Sequence, residues 1–353
     1  MTQKSYLTQS HEGRPVVSII GSAGFVGQHL LSTMRLADVQ PMTFTREKPF
    51  HHQGRLHAAL RHSDVIFYLA SNITPAVAAR EPQQGFEDQH SFRVLLDGLR
   101  GSGHRPLVVL ASSGGTVYDP AFEPPYTEDS PTRAVAGYGA AKLFQEQDLI
   151  ASSSWITPVI LRLANVYGPG QRTVSGYGVV GHWMEALLAG QPLKIMGDPR
   201  SRRDYVHVAD VASAMFAVYR NADRLRHSTA SVVLNIGSGV PTSLEELLHF
   251  FERTVCYDIE VQRQAARVFD RRDVWLDICR AARIVDWRPR VSLPAGLTDT
   301  WQEHLRMMIT ERRAGFSRVL ADPAEVVGDV VVAHAECGAW GAGCGLRFRR
   351  IWT

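Results

Sequence analysis

Apolar residues in this chain fall into short unbroken runs, separated by stretches in which they recur every three or four positions. The run Pro15-Val16-Val17-Ser18-Ile19-Ile20 leads into three spaced glycines, and a periodic stretch follows from Phe25 to about Leu36. That change of period predicts a strand, a turn and a helix in succession. The same alternation continues with a strand over 42–45, a helix around 56–61, a strand over 65–69, a helix through 94–96 and a strand over 107–111. Further on, a helix is expected over 138–150, a strand over 158–163 and one more core strand over 232–236. Strands that are apolar throughout, each followed by a helix, predict an α/β fold: a doubly wound parallel sheet covered on both faces.

Residues 172–203 and 238–313 read as mixed helix and loop. They are expected to form a smaller mixed α/β lobe over the carboxyl edge of the sheet, where open α/β folds bind ligands. The main domain would then comprise 14–171 and 204–237. From Ala314 the amphipathic period fails, so 314–353 is expected to be an appended tail. At 353 residues the chain can bury one large core and a second, smaller one.

Composition mainly excludes. The 38 basic and 35 acidic residues leave a net charge of +3 with no basic stripe, so nucleic acid is not an expected partner. No apolar run reaches the roughly 18 residues of a membrane helix. The N-terminal MTQKSYLTQSHEGRP lacks the apolar segment of a signal peptide, which points to a cytoplasmic protein with no membrane partner. Four cysteines without CxxC spacing read as free thiols, and no metal is expected. Only four basic residues are lysines (Lys4, Lys48, Lys142, Lys194), so a lysine inside a motif stands out.

Gly21-Ser22-Ala23-Gly24-Phe25-Val26-Gly27 lies where the first strand turns into the first helix. Glycines there allow backbone N–H groups to approach a pyrophosphate, which the positive end of the helix also favours. Gly21, Gly24, Phe25, Val26 and Gly27 are therefore candidate dinucleotide contacts, with Leu69 and Ala70 at the end of a later strand. Many dinucleotide sites place an acid at the end of the second strand to accept from ribose hydroxyls. Here Thr45 stands in that place, and the adjacent Arg46 could pair with a 2′-phosphate, a feature that leans toward NADP; the cofactor expected overall is NAD, with NADP possible. The connection from Arg46 to Asp64 also leaves little room for the extra strand that usually helps enclose adenine.

Tyr138-Gly139-Ala140-Ala141-Lys142 opens a helix, and i,i+4 spacing puts the phenol and the ammonium on one face. A phenol of pKa ~10 is a poor base at neutral pH, and bringing it near 7 takes roughly 4 kcal/mol of preferential phenolate stabilisation. A neighbouring ammonium and a cationic nicotinamide ring can supply this in a low-dielectric cleft. About 25 residues earlier, Ala111-Ser112-Ser113-Gly114-Gly115-Thr116-Val117-Tyr118 ends a strand with hydroxyls that could bond a substrate oxygen.

Taken in order, GSAGFVG, SSGGTVY, YGAAK, LRLANVYGPGQ, RRDYVHVADV, LNIGSG and DWRPRVSLPAGL resemble the extended short-chain dehydrogenase/reductases that act on nucleotide sugars, the UDP-glucose 4-epimerase-like epimerase/dehydratase family. The resemblance covers about residues 16–310 and implies a Rossmann-type main domain with a substrate lobe. It implies Tyr138 as acid/base, Lys142 as the residue that holds the nicotinamide ribose and tunes Tyr138, and Ser113 against the reacting hydroxyl. It also implies Asn165 near the diphosphate of a nucleotide-diphosphate sugar, with Arg203 and Arg267 clamping it; guanidinium forks suit phosphate oxygens. Asp210 is expected to serve structure at a helix start, and relatives commonly dimerise through helices like the one bearing Tyr138, which implies a homodimer.

The departures are informative. Many relatives carry the catalytic Ser or Thr four residues before the tyrosine of the VY element, where this chain has Gly114; Ser113 is chosen instead. Family dehydratases usually place acids directly after that hydroxyl, and Gly114 and Gly115 cannot act as acids. The leading expectation is a 4-epimerase. An NADPH-dependent ketoreductase and a non-catalytic dinucleotide sensor on the same fold are the alternatives.

Overall fold

The predicted apolar runs do form strands, and their continuity has a geometric cause. In a computed structural model of the chain, the residues described are 14–74, 77–78, 83–134, 137–171, 173, 178–228, 230–255, 259–266 and 273–321, with side chains as far as 310. The first half holds β1 (Val17–Ile20), α1 (Phe25–Leu36), β2 (Met42–Phe44), β3 (His51–His52), β4 (Arg55–Leu56), β5 (Val65–Tyr68), α2 (Gln83–Gly98), β6 (Leu107–Ser113), α3 (Gly137–Ala151), β7 (Thr157–Leu163) and β8 (Asn165–Tyr167). There follow α4 (Val179–Leu188), β9 (Leu193–Met196), β10 (Arg202–His207), α5 (Val208–Arg220), α6 (Ala222–Arg226), β11 (Val232–Ile236), β12 (Pro241–Ser243), α7 (Leu244–Val255), β13 (Val261–Gln264), β14 (Asp273–Val274), α8 (Cys279–Val285) and α9 (Leu293–Ala321).

Six strands form one sheet in the order β11-β7-β6-β5-β1-β2, and every pairing in it is parallel. Both faces are covered. Val17, Ile19, Phe67, Val109 and Leu161 point to the side where Leu30 and Met34 of α1, Val211 and Met215 of α5 and Val285 of α8 pack. Ile20, Ile66, Val108, Leu110 and Ile160 meet Phe92, Leu95 and Leu96 of α2 and Leu149 of α3 on the other. Successive strand residues thus feed opposite cores, which is why no polar alternation is visible. Each such side chain contributes roughly 1.5–3 kcal/mol when fully buried.

The chain leaves β1 toward β2 on one side and returns to β5 on the other, so the carboxyl ends of β1 and β5 border a topological switch point. A third core joins Trp183 and Met184 of α4, Leu193 and Ile195 of β9, Leu247 and Phe251 of α7, and Leu297 of α9. Beside it β10 pairs with β8, β12 and β14.

Three local expectations change. Residues 51–56 form the hairpin β3–β4 and Ala58–His62 a 3₁₀ turn, where a helix around 56–61 was expected. β6 runs on through Ser112 and Ser113, because Arg162 and Leu163 of β7 stay in register with them. Helix α9 reaches Ala321, past the residue where the periodicity fades. Asp210 accepts from the backbone N–H groups of Arg290 and Val291 at 3.0 and 2.9 Å, the structural service expected of it.

Candidate active site

The glycine turn sits at the switch point and could hold no side chain at its ends. Gly21 has φ +89°, and a Cβ there would lie 2.7 Å from the backbone nitrogen of Ala70, so Leu69-Ala70 closes directly over the turn. A Cβ on Gly27 would overlap the carbonyl oxygen of Gly21. This close approach draws the first turn of α1 against the end of β1. α1 has no side-chain cap and no acid in its first turn, which leaves N–H groups and the positive end of the helix dipole for an anion. These features fit a dinucleotide pyrophosphate. Phe25 stacks edge-on against His29, whose Nε2 lies 2.9 Å from the carbonyl of Pro169, and Val26 packs on the first core.

The loop after β5 is held by a buried carboxylate. Asp88 of α2 accepts from Ser71 Oγ at 2.8 Å and from the backbone N–H and Nδ2 of Asn72 at 2.9 Å. Asn72 in turn accepts from Arg46 at 3.1 Å through Oδ1. Arg46 is therefore exposed and bonded to a neutral amide, beside the end of β2.

Lys142 and Tyr138 share one face of α3, with the Lys142 Nζ 5.9 Å from the Tyr138 ring centroid. Lys142 is only 5% exposed and donates to Gln145 Oε1 at 3.2 Å. Burial pushes its ammonium down to a pKa of about 8, against the opposing pull of Asp88 and Glu146. One turn further along the same face, Glu146 forms a buried bidentate pair with Arg162, at 2.7 and 3.1 Å. Its Oε1 also accepts from Ser112 Oγ at 2.5 Å. Ser112 is thus committed to the network, and of the two neighbouring serines Ser113 is left at the strand end. Position 114 has no room: a Cβ on Gly114 would lie 2.6 Å from Leu276 Cδ1.

Across the edge of the sheet, β8 and β10 run parallel with Asn165 opposite Tyr205. Asn165 Nδ2 donates to the carbonyl of Asp204 at 3.0 Å, next to Arg203. Arg203 NH1 donates to the carbonyl of Arg202 at 2.9 Å. The structure therefore brings Asn165 and Arg203 together on adjacent strands; Arg267 lies outside the described residues. Sequence reasoning missed Asp88, Asn72, Glu146 and Arg162. Glu146 had a signal, since it continues the i,i+4 series from Tyr138 and Lys142, whereas a single acid in α2 had none.

The NAD dependent epimerase/dehydratase family model matches residues 17–237. The chain belongs to the NAD-dependent epimerase/dehydratase family. Among its relatives, a UDP-glucose 4-epimerase of Mycolicibacterium smegmatis is 31% identical over 314 residues, which cover 80% of this chain and 96% of the relative. A dTDP-4-dehydro-6-deoxyglucose reductase of Escherichia coli is 25% identical over 307 residues, covering 80% and 95%. Among solved structures, the UDP-glucose 4-epimerase of Thermotoga maritima with UDP-glucose superposes with a TM-score of 0.73 at 25% identity, covering 83% of this chain and 99% of that one. That of Thermus thermophilus, in complex with NAD, gives 0.70 at 25% identity, covering 82% and 98%. The α/β Rossmann-type architecture of this family member is the one these neighbours share.

Proposed function

We propose that this family member is a nucleotide-sugar 4-epimerase that keeps NAD bound between turnovers. The observation that carries the reading is Lys142, a buried cation on the same helical face as the Tyr138 phenol, in a fold whose first turn is a glycine cradle fit for a pyrophosphate. Similarity to 4-epimerases over most of both chains supports it. Gly21, Gly24, Phe25, Val26 and Gly27 would cradle the pyrophosphate, with Leu69 and Ala70 above it and Lys142 at the nicotinamide ribose.

Bound NAD supplies the acceptor for the C4 hydride and, once the keto-sugar has turned in the site, the donor to the opposite face. Tyr138 takes the proton of the C4 hydroxyl as the C–H bond breaks and gives it back as the alcohol reforms, so no net cofactor is consumed. Lys142 favours the phenolate by Coulomb attraction. Asn165, Arg203 and Arg267 hold the diphosphate, and a hydroxyl from the segment 113–116 that follows β6 stands by the reacting oxygen. Gly114 and Gly115 offer no acid for an elimination, which disfavours a dehydratase.

Arg46, in a site lacking a carboxylate at the end of β2, favours a second reading: an NADPH-dependent reductase of 4-keto sugars. The reductase among the relatives is consistent with it. Purified protein given UDP-glucose or UDP-galactose without added nicotinamide distinguishes the two. Interconversion is expected; reduction of a 4-keto sugar with stoichiometric NADPH use, and no interconversion, would replace the first reading with the second. Abolition of activity by Tyr138→Phe is expected of both and separates them from a sensor.

A further inference from the structure

Thr116 carries a hydroxyl that the proposed mechanism leaves unused. Its Oγ1 is buried and has no hydrogen-bond partner among the described residues. A buried hydroxyl in that state calls for an explanation, and a bound ligand's oxygen is one. The other candidates near the strand end differ. Ser112 is spent on Glu146, position 114 has no side chain, and Leu276 fills the space one would need. Ser113 ends β6, and alternation along that strand sets it on the face opposite Ser112, which faces Glu146 of α3. Thr116 instead lies against the helix that bears Tyr138: its carbonyl oxygen is 2.7 Å from where a Cβ on Gly139 would be. Gly139 is what lets that backbone come so close.

We infer that Thr116, rather than Ser113, supplies the second hydroxyl at the sugar's reacting oxygen, working beside Tyr138. The inference rests on the hydride-transfer reading above. The chemistry suits a threonine hydroxyl because the substrate oxygen changes character during the reaction. As an alcohol it donates and accepts; as a ketone it only accepts. A hydroxyl that rotates between donating and accepting can serve both states. Gly114 then marks a transfer of the role by two positions along the loop, forced by Leu276.

The test compares Thr116→Val, which keeps the shape and removes the hydroxyl, with Thr116→Ser and Ser113→Ala. Thr116→Val is expected to lower kcat for UDP-glucose epimerisation about 100-fold, the scale seen when one donor to a reacting oxygen is lost. Thr116→Ser should restore most of it, and Ser113→Ala should change little. Calorimetry on the NAD-loaded protein should show Thr116→Val weakening UDP-glucose several-fold while binding of UDP, which has no sugar, stays as in the wild type. Tm should not fall, because a buried unpaired hydroxyl is being replaced by an apolar group. Wild-type kcat in Thr116→Val, or a large loss in Ser113→Ala, overturns the assignment. Parallel losses of Tm and UDP affinity also overturn it, in favour of a purely structural Thr116. A wild-type protein that binds NAD but neither binds nor converts UDP-glucose defeats the underlying reading, and the inference with it, without any variant being needed.

Discussion

Lys142 brings an ammonium into a place water hardly reaches, and its neighbours compensate only in part. Glu146 is shared with Arg162 and Ser112, and Asp88 is occupied by Ser71 and Asn72. The folded-state pKa of about 8 lies below the 10.5 of a free lysine. A group whose folded pKa is depressed in this way costs stability wherever it must stay charged. Below about pH 8 the folded protein carries the whole penalty, on the order of 3 kcal/mol. Between about 8 and 10.5 the unfolded chain holds a proton that the folded chain has shed, so the penalty fades as pH rises. Lys142→Met is therefore expected to raise the stability of the cofactor-free protein by that order at pH 7 and by much less at pH 10, while abolishing turnover. Urea unfolding at the two pH values checks it; a variant less stable at pH 7 would show that the ammonium is well compensated. At neutral pH the lysine remains mostly protonated, as its proposed role requires.

At the scale of elements, the turn between β1 and α1 was legible because its signal is local. A continuous apolar run, three glycines and a 3.6-residue period are all properties of neighbours in sequence. The same holds for β5, β7 and the helix bearing Tyr138 and Lys142. The hairpin β3–β4 was not legible, since strands of two residues each carry no periodicity. Nor was the extension of β6 through Ser112 and Ser113, which depends on register with Arg162 and Leu163, far away in sequence. For the same reason the site's second layer was hidden: Asp88 reaches Asn72, and Asn72 reaches Arg46, only through the fold. The local element admits a direct test. Gly27→Ala adds a methyl where the Gly21 carbonyl already sits, and overpacking of this kind typically costs about 1–3 kcal/mol. The first turn of α1 must withdraw, and the cradle should open. The variant is expected to retain its helical content, to unfold at a lower temperature and to release no NAD on denaturation, whereas the wild type releases it. Undiminished NAD content would mean that this turn is not where the pyrophosphate sits.

For the whole molecule, the same two helices that back the site also expose large apolar side chains to the outside. α2 and α3 cross where a Cβ on Gly85 would meet that of Ala141 at 3.6 Å, and Arg93 clamps Asp148 bidentately at 2.8 and 2.9 Å further along. Phe86 is 69% exposed on α2, and Phe144 and Ile150 are 48% and 43% exposed on α3. Phe144 follows Lys142 by two residues, about 200° around a helix, so one element turns its lysine inward and its phenylalanine outward. Exposed large apolar side chains on two neighbouring helices mark a contact surface, and a twofold pairing would bury them against their own copies. The homodimer that the family resemblance implies would then hold the outer side of the Tyr138 helix in place. Phe144→Asp puts a carboxylate at the centre of that contact without touching the inner face. It is expected to convert the dimer to a monomer in analytical ultracentrifugation, with lower thermal stability and reduced epimerisation. A dimer that survives the charge would locate the contact elsewhere, and a wild type that sediments as a monomer would leave these side chains to another partner.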